Sequence, residues 1–304
     1  MISYEGLLQK LNDKGLTKTA LTEELGISSR TVAKIGRGEK IADRVLSKIA
    51  VFLDCKPEEL YRSITENTLL QTLRDEKSIR MPGGLYHELQ VRMTYNSNHI
   101  EGSKLTKDQT RFIYETKTIG LEENAVIPVN DIVETVNHFR CMDFIIDTAE
   151  KELTQPYIKR LHALLKSSTE DSLVDGFAVG DYKKFPNEVG DHVTTPPENV
   201  GAEMARLLTK YKEQEKTLET LVAFHADFES IHPFQDGNGR VGRLILFKEC
   251  LHYGIVPFII TDELRLYYYR GLSRWKDEKG FLMDTCLTAQ DAMKKYLDYF
   301  RIPY

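Results

Sequence analysis

The stretch from residue 232 to residue 243 constrains this chain more than any other part of its sequence. It reads His-Pro-Phe-Gln-Asp-Gly-Asn-Gly-Arg-Val-Gly-Arg. It combines a histidine that can act as a general base, an aspartate that can bind a divalent ion, a glycine-rich turn and two arginines. Packing alone does not require these residue types so close together. The stretch therefore indicates a functional site.

A helix is predicted to begin directly after the glycine turn, from Arg240 to about His252, and Gly254 and Pro257 are typical of residues that end a helix. A glycine-rich turn that leads into a helix N-terminus presents backbone N–H groups to an anion. Arg240 and Arg243, three residues apart, project toward that same anion. The pattern indicates a site for a polyphosphate and a divalent ion.

The stretch resembles the signature of Fic-domain proteins, His-Pro-Phe-x-(Asp/Glu)-Gly-Asn-Gly-Arg-x-x-Arg, and matches it at every specified position. That family usually transfers the AMP of ATP to a hydroxyl side chain of a target protein. The resemblance implies that His232 takes the proton from the target hydroxyl. It implies that Asp236 holds Mg²⁺ or Mn²⁺, and that Phe234 anchors the loop in the core. ATP is the implied substrate.

The same resemblance implies an ATP-binding cradle at the start of the helix. Gly237, Asn238 and Gly239 would form it, with Asn238 on the α-phosphate. Arg240 would bind the β-phosphate and Arg243 the γ-phosphate. Taken singly, each residue type also fits an ordinary surface turn or a solvated helix face.

A second motif lies about 130 residues upstream. The segment Ser97-Asn98-His99-Ile100-Glu101-Gly102 resembles the inhibitory helix of many Fic proteins, here near residues 86–102. Ser97 and Glu101 share one helix face because they are four residues apart, and Gly102 suits a C-cap. The resemblance implies that Glu101 pairs with Arg243, withholds it from ATP and makes the protein self-inhibited. The alternative is an ordinary capped helix.

The first 62 residues are predicted to form a small five-helix domain. Through Ala50 there are nine Lys or Arg against six Asp or Glu, a local net charge of +3, whereas the whole chain has −5. Gly26 suits the tight turn of a helix-turn-helix. The block resembles the Cro/phage-repressor DNA-binding domain.

That resemblance implies DNA contacts by Lys18, Ser29, Arg30 and Lys34. Lys18 would contact a phosphate, and the other three would face base edges. The alternative is a helical protein-interaction module with a basic surface. Domains of this type usually form dimers, so a homodimer is an expectation.

The chain is therefore expected to be mainly α-helical, with a helix-turn-helix domain at 1–62, a linker at 63–84 and an all-helical Fic domain at 85–304. Glycines and alternating residues over 180–200 predict a β-hairpin. It resembles the Fic flap, which docks the target's backbone, and the implied docking residues are Lys183, Val189, His192 and Val193.

Two further groups leave alternatives open. Tyr268 or Tyr269 would lie near the adenine by the resemblance, and aromatic core packing is the other reading. His225 precedes His232 by seven residues, so a paired metal site is conceivable, but no third ligand is suitably spaced. We therefore interpret His225 as structural.

No secretory signal pattern or membrane-length apolar run is present, and the four cysteines are far apart. We expect a cytoplasmic protein with free thiols and no membrane contact. The expected function is AMP transfer from ATP to a Ser, Thr or Tyr of an unidentified target protein and of the protein itself. The alternatives are removal of AMP by the same site, transfer of another phosphate-containing group, and a transcriptional regulator whose Fic domain senses nucleotide.

Overall fold

The computed structural model describes residues 2–36, 39–63, 68–120, 126–189 and 192–304. The chain forms two compact units, Met1–Asn67 and Thr68–Tyr304. Where described, both units are mainly helical, which confirms the predicted fold class.

The first unit has four α-helices, one 3-10 turn and a short antiparallel pair of strands. Its elements are β1 (Ile2–Ser3), α1 (Glu5–Asp13), α2 (Ala20–Glu23), α3 (Ser29–Gly36), α4 (Asp43–Leu53), a 3-10 turn (Pro57–Glu59) and β2 (Arg62–Ser63). Leu7, Leu21, Ile49 and Leu60 are fully buried in one core. Gly26, with φ +63°, forms the turn between α2 and α3, as the helix-turn-helix prediction requires.

The segment 63–84, predicted to be a linker, is largely a helix. Thr68–Ile79 form α5, and Leu69, Leu70 and Leu73 of this helix are buried in the core of the second unit. Three leucines are enough to hold one face of this polar helix against a core, so the helix belongs to the second unit and does not act as a linker. Residues 64–67 lie outside the described part of the chain.

The rest of the second unit is a set of packed helices with one hairpin. In chain order they are α6 (Leu85–Ile100), α7 (Lys107–Glu115), α8 (Val129–Asp147), α9 (Gln155–Leu165), a 3-10 turn (Glu170–Leu173), β3 (Glu188–Val189), β4 (His192–Val193), α10 (Pro197–Glu213), α11 (Leu218–Ile231), α12 (Asn238–Tyr253), a second 3-10 turn (Asp262–Leu264), α13 (Arg265–Ser273) and α14 (Gly280–Tyr299). Strands β3 and β4 pair antiparallel, which agrees with the predicted flap. None of the helices in the described ranges has both the length and the apolar character needed to cross a bilayer.

Helix α12 lies inside the second unit. It packs against α6, α8, α9 and α11, and nearly all of its residues from Asn238 to Leu251 are buried. The preceding helix α11 buries the predicted apolar stripe, which consists of Leu221, Phe224, Phe228 and Ile231. Gly254, with φ +66°, ends α12 at its predicted position. The core therefore fixes both helices that flank the 232–243 stretch.

Close packing of α13 against α14 gives a testable prediction. A Cβ at Gly271 would lie 2.7 Å from Leu282 Cα and 2.8 Å from Leu282 N. Because these are backbone atoms, they cannot turn aside. We expect Gly271→Ala to lower the free energy of unfolding by roughly 1–3 kcal/mol, the usual cost of overpacking.

The measurement is urea unfolding followed by the fluorescence of Trp275, the single tryptophan of the chain, which is buried in the second unit. The matched control is Gly201→Ala in α10, where no atom lies within 4 Å of an added Cβ. The control should leave stability unchanged or raise it by up to about 1 kcal/mol. Equal effects of the two substitutions would contradict the packing argument.

Candidate active site

The 232–243 stretch joins α11 to α12 through a loop that is fixed from within. The phenyl ring of Phe234 is fully buried and stacks on the imidazole of His162, with ring centroids 3.9 Å apart. The Phe234 N–H donates to Asn238 Oδ1 at 2.8 Å, and Asn238 Nδ2 donates to the Phe234 carbonyl at 2.8 Å. The predicted role of Phe234 as an anchor therefore agrees with its surroundings.

The Asn238 side chain also holds the loop closed from within. It is buried, its Oδ1 accepts from the backbone of Phe234, and its Nδ2 donates to that same backbone. The amide nitrogen carries a second N–H that these bonds do not use. The contact of Asn238 with an α-phosphate therefore stays a prediction.

His232 lies at the C-cap of α11 with φ 52° and ψ 63°, in the left-handed region. This conformation turns the chain sharply out of the helix and toward Gly237, which has φ +82° at the start of α12. Burial is the main cause that lowers the pKa of His232 to about 4, and the nearby charge of Lys183 acts in the same direction. The imidazole is therefore neutral near pH 7 and can accept a proton.

Asp236 and Arg240 form an ion pair one helical turn apart. Asp236 Oδ2 accepts from Arg240 Nη2 at 3.0 Å, and Arg240 also donates to the Glu134 carboxylate from α8. Burial alone would raise the pKa of Asp236, but the charges of Arg240 and Lys166 outweigh it and bring the pKa to about 2. Half of the Asp236 side chain is exposed. Asp236 is thus an ionised, reachable carboxylate of the kind that Mg²⁺ prefers.

Arg243 bonds Glu101, the partner predicted for it, and also Ser97 of the same helix. Its Nη2 lies 2.7 Å from Glu101 Oε1 and 2.9 Å from the Ser97 carbonyl, and its Nε donates to Ser97 Oγ at 3.1 Å. Glu101 also lies against the glycine turn. Its Oε1 occupies the space that a Cβ at Gly239 would need. Gly102 follows with φ +98° and lets the chain leave α6.

Two buried hydrogen-bond donors beside this turn have no acceptor in the part of the chain that the structure describes. Arg240 Nε and Arg243 Nη1 have no hydrogen-bond partner within the described residues, although both guanidinium groups are almost fully buried. A buried N–H without an acceptor costs free energy, so such groups normally have a partner. Two of them next to a helix N-terminus are suited to a polyanion.

The flap hairpin stands beside the loop, and Lys183 is part of its base. The Lys183 N–H donates to the Pro233 carbonyl at 2.9 Å, and its buried Nζ donates to Asn187 Oδ1 and Thr194 Oγ1, both at 2.6 Å. Burial lowers its pKa to about 8. The predicted docking role of Lys183 is therefore wrong, since its side chain faces inward and ties the hairpin together.

The other residues predicted for the flap lie on the two strands of the hairpin. Val189 and Val193 are exposed on the two strands, and Val189 pairs with His192 in the register of the hairpin. An exposed pair of short strands offers backbone groups and apolar side chains to a further strand. The hairpin remains a candidate for target docking.

The two candidate tyrosines are unlike each other. Tyr268 is fully buried, and its hydroxyl lies 2.7 Å from His225 Nε2. It therefore belongs to the core and is not accessible to an adenine, which corrects one of the two assignments. His225 is accordingly structural, as interpreted. Tyr269 is 42% exposed, so a ligand can reach it, and its hydroxyl donates to the Ile100 carbonyl at 3.2 Å.

The predicted DNA-contacting residues lie on the helix-turn-helix of the first unit. Ser29 and Arg30 are exposed in the first turn of α3, Lys34 is half-buried in its last turn, and Lys18 is exposed just before α2. Ser28 begins α3, since its Oγ accepts from the Thr31 N–H at 3.2 Å. Three side chains capable of reading bases therefore share one short helix.

Three charged residues that the sequence analysis missed surround Asp236. Lys166, at the C-cap of α9, is fully buried, and its Nζ contacts Glu134, Asp171 and Asp236. Each lies 65 or more residues before Asp236 in the sequence, and no local pattern distinguishes it from a surface charge. Only the packing of α8 and α9 against α12 brings them together.

Comparison with known protein families matches both units. The Fic/DOC family matches residues 152–249, and the Cro/C1-type HTH DNA-binding domain matches residues 7–79. A protein adenylyltransferase Fic of Nematostella vectensis is 31% identical over 189 residues, which are 59% of this chain and 42% of that protein. A protein of the same name from Drosophila willistoni is 28% identical over 187 residues, which are 59% of this chain and 35% of that protein. This chain thus spans less than half the length of either relative.

Solved structures agree on the fold. A Fic domain containing signaling protein from Bacteroides thetaiotaomicron has a TM-score of 0.57 at 24% identity and covers 76% of this chain and 90% of its own. Fic-1 from C. elegans has a TM-score of 0.60 at 18% identity, over 98% of this chain and 96% of its own. The chain therefore carries a domain of the Fic/DOC family at residues 152–249 and a Cro/C1-type helix-turn-helix domain at residues 7–79, and the solved structures share its fold.

Proposed function

We propose that this protein is a protein adenylyltransferase that moves AMP from ATP to a Ser, Thr or Tyr hydroxyl of a target protein, and to itself. One observation carries the proposal. A neutral, partly buried histidine, an ionised aspartate and two arginines, each with an N–H group that has no partner among the described residues, converge on one helix N-terminus. A base beside a polyphosphate site is what hydroxyl attack on a phosphate requires.

In the proposed reaction the hydroxyl oxygen attacks the α-phosphorus of ATP in line with the leaving pyrophosphate. His232 takes the hydroxyl proton, the bond to the β-phosphate oxygen breaks, and pyrophosphate leaves. The unpartnered donors of Arg240 and Arg243 would bind the β- and γ-phosphates and so orient the α-phosphate. The exposed strands β3 and β4 would hold the target's backbone.

The residues around Asp236 fit a divalent ion. Its carboxylate stays ionised and half-exposed next to the unpartnered arginine donors. A Mg²⁺ or Mn²⁺ ion bound there would neutralise charge on the phosphates. Ion and nucleotide would arrive together, because a single carboxylate is a weak site without the phosphate oxygens.

The test uses ATP labelled at the α- or at the γ-phosphate, with the purified protein and a mixture of candidate targets. Label from the α-position alone, retained on protein, is the expected result. Label from the γ-position would instead identify phosphate transfer and overturn the proposal. His232→Ala should retain ATP binding and lose transfer, because the imidazole acts on the hydroxyl and not on the phosphates.

The low pKa of His232 predicts an unusual pH dependence. Because the neutral imidazole is the active form and its pKa is about 4, transfer should be lost only as the pH falls through about 4. Initial rates of self-modification between pH 5 and pH 8 should lack an acidic limb near 6.5, the ordinary histidine pKa. The prediction would be contradicted if the wild-type rate fell with a pKa near 6.5 and the residual rate of His232→Gln did not. That result would show that His232 titrates as an ordinary histidine.

We also propose that Glu101 inhibits this site. Its carboxylate occupies Arg243 Nη2 at 2.7 Å, so a γ-phosphate must compete with an ion pair already formed. Ser97 holds the same guanidinium from the same helix. Glu101 adds a negative charge beside the glycine turn, where the phosphates would lie. Both effects oppose productive ATP binding.

Glu101→Gly should therefore raise self-adenylylation, by on the order of 100-fold if productive orientation is regained. Arg243→Ala in the same variant should reverse most of the gain, because the freed donor is then missing. Glu215→Gly, which removes an exposed carboxylate from a loop, is the matched control. Labelled protein on a gel is the readout.

Unchanged activity in Glu101→Gly would mean that Glu101 only ends a helix. The same experiment addresses a second candidate function, removal of AMP. Glu101 is partly exposed at the glycine turn and could orient a water molecule there. If the wild type removes AMP from the labelled target and Glu101→Gly does not, removal is the function of the site.

For the first unit we propose DNA binding through α3. The support is the match to a DNA-binding domain and the exposure of Ser29 and Arg30 on that helix. Arginine and lysine bond the acceptors of guanine in the major groove. The expected consequence is that the protein regulates transcription as well as modifying a target.

Arg30→Ala combined with Lys34→Ala should weaken specific DNA binding by roughly 1–3 kcal/mol for each base that the missing side chain would have bonded. Gel-shift titration at fixed salt measures it, with Lys14→Ala plus Lys56→Ala as a control that removes the same charge elsewhere. Transfer to a fixed target should not change. If the wild type binds neither its own promoter nor random DNA, the unit is a protein-interaction module.

A further inference from the structure

A buried lysine stands at the centre of three carboxylates beside the proposed nucleotide site. Lys166 Nζ lies 2.7 Å from Glu134 Oε1, 2.5 Å from Asp171 Oδ2 and 2.6 Å from Asp236 Oδ2. Its side chain is fully buried. The three partners come from α8, from the 3-10 turn after α9 and from the loop before α12.

Fold stability alone is a poor explanation for this cluster. Taking an ammonium group out of water costs several kcal/mol, and buried ion pairs are often no more stabilising than apolar residues of the same volume. The cluster includes Asp236, the proposed metal ligand. Its charges are better explained if they orient the carboxylate of that residue. Lys166 and Arg240 both bond the same oxygen, Asp236 Oδ2, and so fix the direction of the carboxylate.

The geometry of the cluster is that of a small cation site. One oxygen atom from each carboxylate lies within 4.8 Å of the others. The three Nζ–O distances, 2.5–2.7 Å, are those of charge-assisted hydrogen bonds, so the ammonium group bonds all three carboxylates at once. The ammonium group therefore takes the position that a metal ion would have in a cage of three carboxylates.

Glu134 extends the cluster to the second phosphate-binding candidate. One of its carboxylate oxygens accepts from Lys166, and the other accepts from Arg240 Nη1. With Nη1 on Glu134 and Nη2 on Asp236, Arg240 retains Nε as a buried donor without a partner among the described residues. The orientation of this guanidinium thus depends on two carboxylates that Lys166 also holds.

We infer that Lys166 is the resident cation of this three-carboxylate cage and, with Glu134, a positioning residue of the active site. It orients Asp236 directly and Arg240 through Glu134. It also keeps Glu134 and Asp171 from binding a divalent ion, so that the ion binds to Asp236 together with the nucleotide. The inference deepens the proposed function and rests on it for the identity of the nucleotide.

The test measures Ca²⁺ binding by the full-length protein without nucleotide, by isothermal titration calorimetry. Lys166→Met removes the charge and keeps a linear side chain. It should bind one Ca²⁺ at least about tenfold more tightly than the wild type, because the positive charge that competes with the ion for the three carboxylates is gone. Asp171→Asn added to Lys166→Met should remove the gain and so locate the ion.

AMP transfer should move in the opposite direction. In Lys166→Met it should fall by roughly 10- to 100-fold, whereas Lys210→Met, which breaks an exposed pair with Asp227, should change neither quantity. A general loss of structure would weaken both, so tighter Ca²⁺ binding with slower transfer is specific to the inference. Glu134→Gln should raise the KM for ATP by roughly tenfold at an unchanged melting temperature, because the neutral amide offers one acceptor oxygen where Lys166 and Arg240 now use two carboxylate oxygens.

Equal Ca²⁺ binding by the wild type and Lys166→Met, or wild-type transfer by Lys166→Met, would overturn the inference. If Lys166→Met folds only when Ca²⁺ is added, as circular dichroism would show, the cage is confirmed in another way. If it folds under neither condition, the KM of Glu134→Gln decides. Because Ca²⁺ binding is measured without ATP, a failure of the proposed AMP transfer would be recognised separately.

Discussion

Arg240 and Arg243 lie at the beginning of α12, the helix that the second unit encloses on nearly all sides. Two buried guanidinium groups require acceptors, and no single neighbouring element provides them all. Arg240 is held from α8 and from its own loop, and Arg243 from the end of α6. The positions of α6 and α8 around α12 are therefore set by charge as well as by apolar packing.

This arrangement makes the partners of the two arginines unequal. The carboxylates around Arg240 are also bonded by Lys166, so that pair belongs to a network of several charges. The partner of Arg243 is a single glutamate at the end of α6, outside that network. A phosphate that replaces Glu101 would break one ion pair, whereas a phosphate that replaces Glu134 or Asp236 would disturb several. The inhibition proposed for Glu101 and the positioning proposed for Lys166 thus use the same kind of ion pair in different settings.

The sequence predicted what is encoded locally. The glycine turn, the apolar stripe of α11, the end of α12 at Gly254 and the hairpin each follow from neighbouring residues. The pairing of Glu101 with Arg243 was also predicted, because a resemblance supplied the distant partner. Lys166 and Glu134 could not be predicted, since an isolated charge in a helix has no pattern that reveals its burial.

The orientation of side chains was the other property that could not be predicted from the sequence. Lys183 and Tyr268 have the expected residue type in the expected segment, yet each side chain points into the protein. Lys183 bonds the hairpin and Tyr268 bonds His225, and these partners are brought to them by tertiary packing. For the segment 68–79 the error was similar, because its polar face concealed three leucines that are buried.

Tyr269 adds a connection between two parts of the site. Its hydroxyl is bonded to the carbonyl of Ile100, the residue that precedes Glu101, while its ring remains accessible. A ligand that displaces the Tyr269 hydroxyl breaks that bond, and so does a movement of the end of α6 that carries the Ile100 carbonyl away. By thermodynamic reciprocity, ligand occupancy at the ring and movement of the helix end then change each other's free energy by the same amount. A small molecule that displaces this hydroxyl, without touching any phosphate-binding residue, would therefore loosen the helix end that carries Glu101.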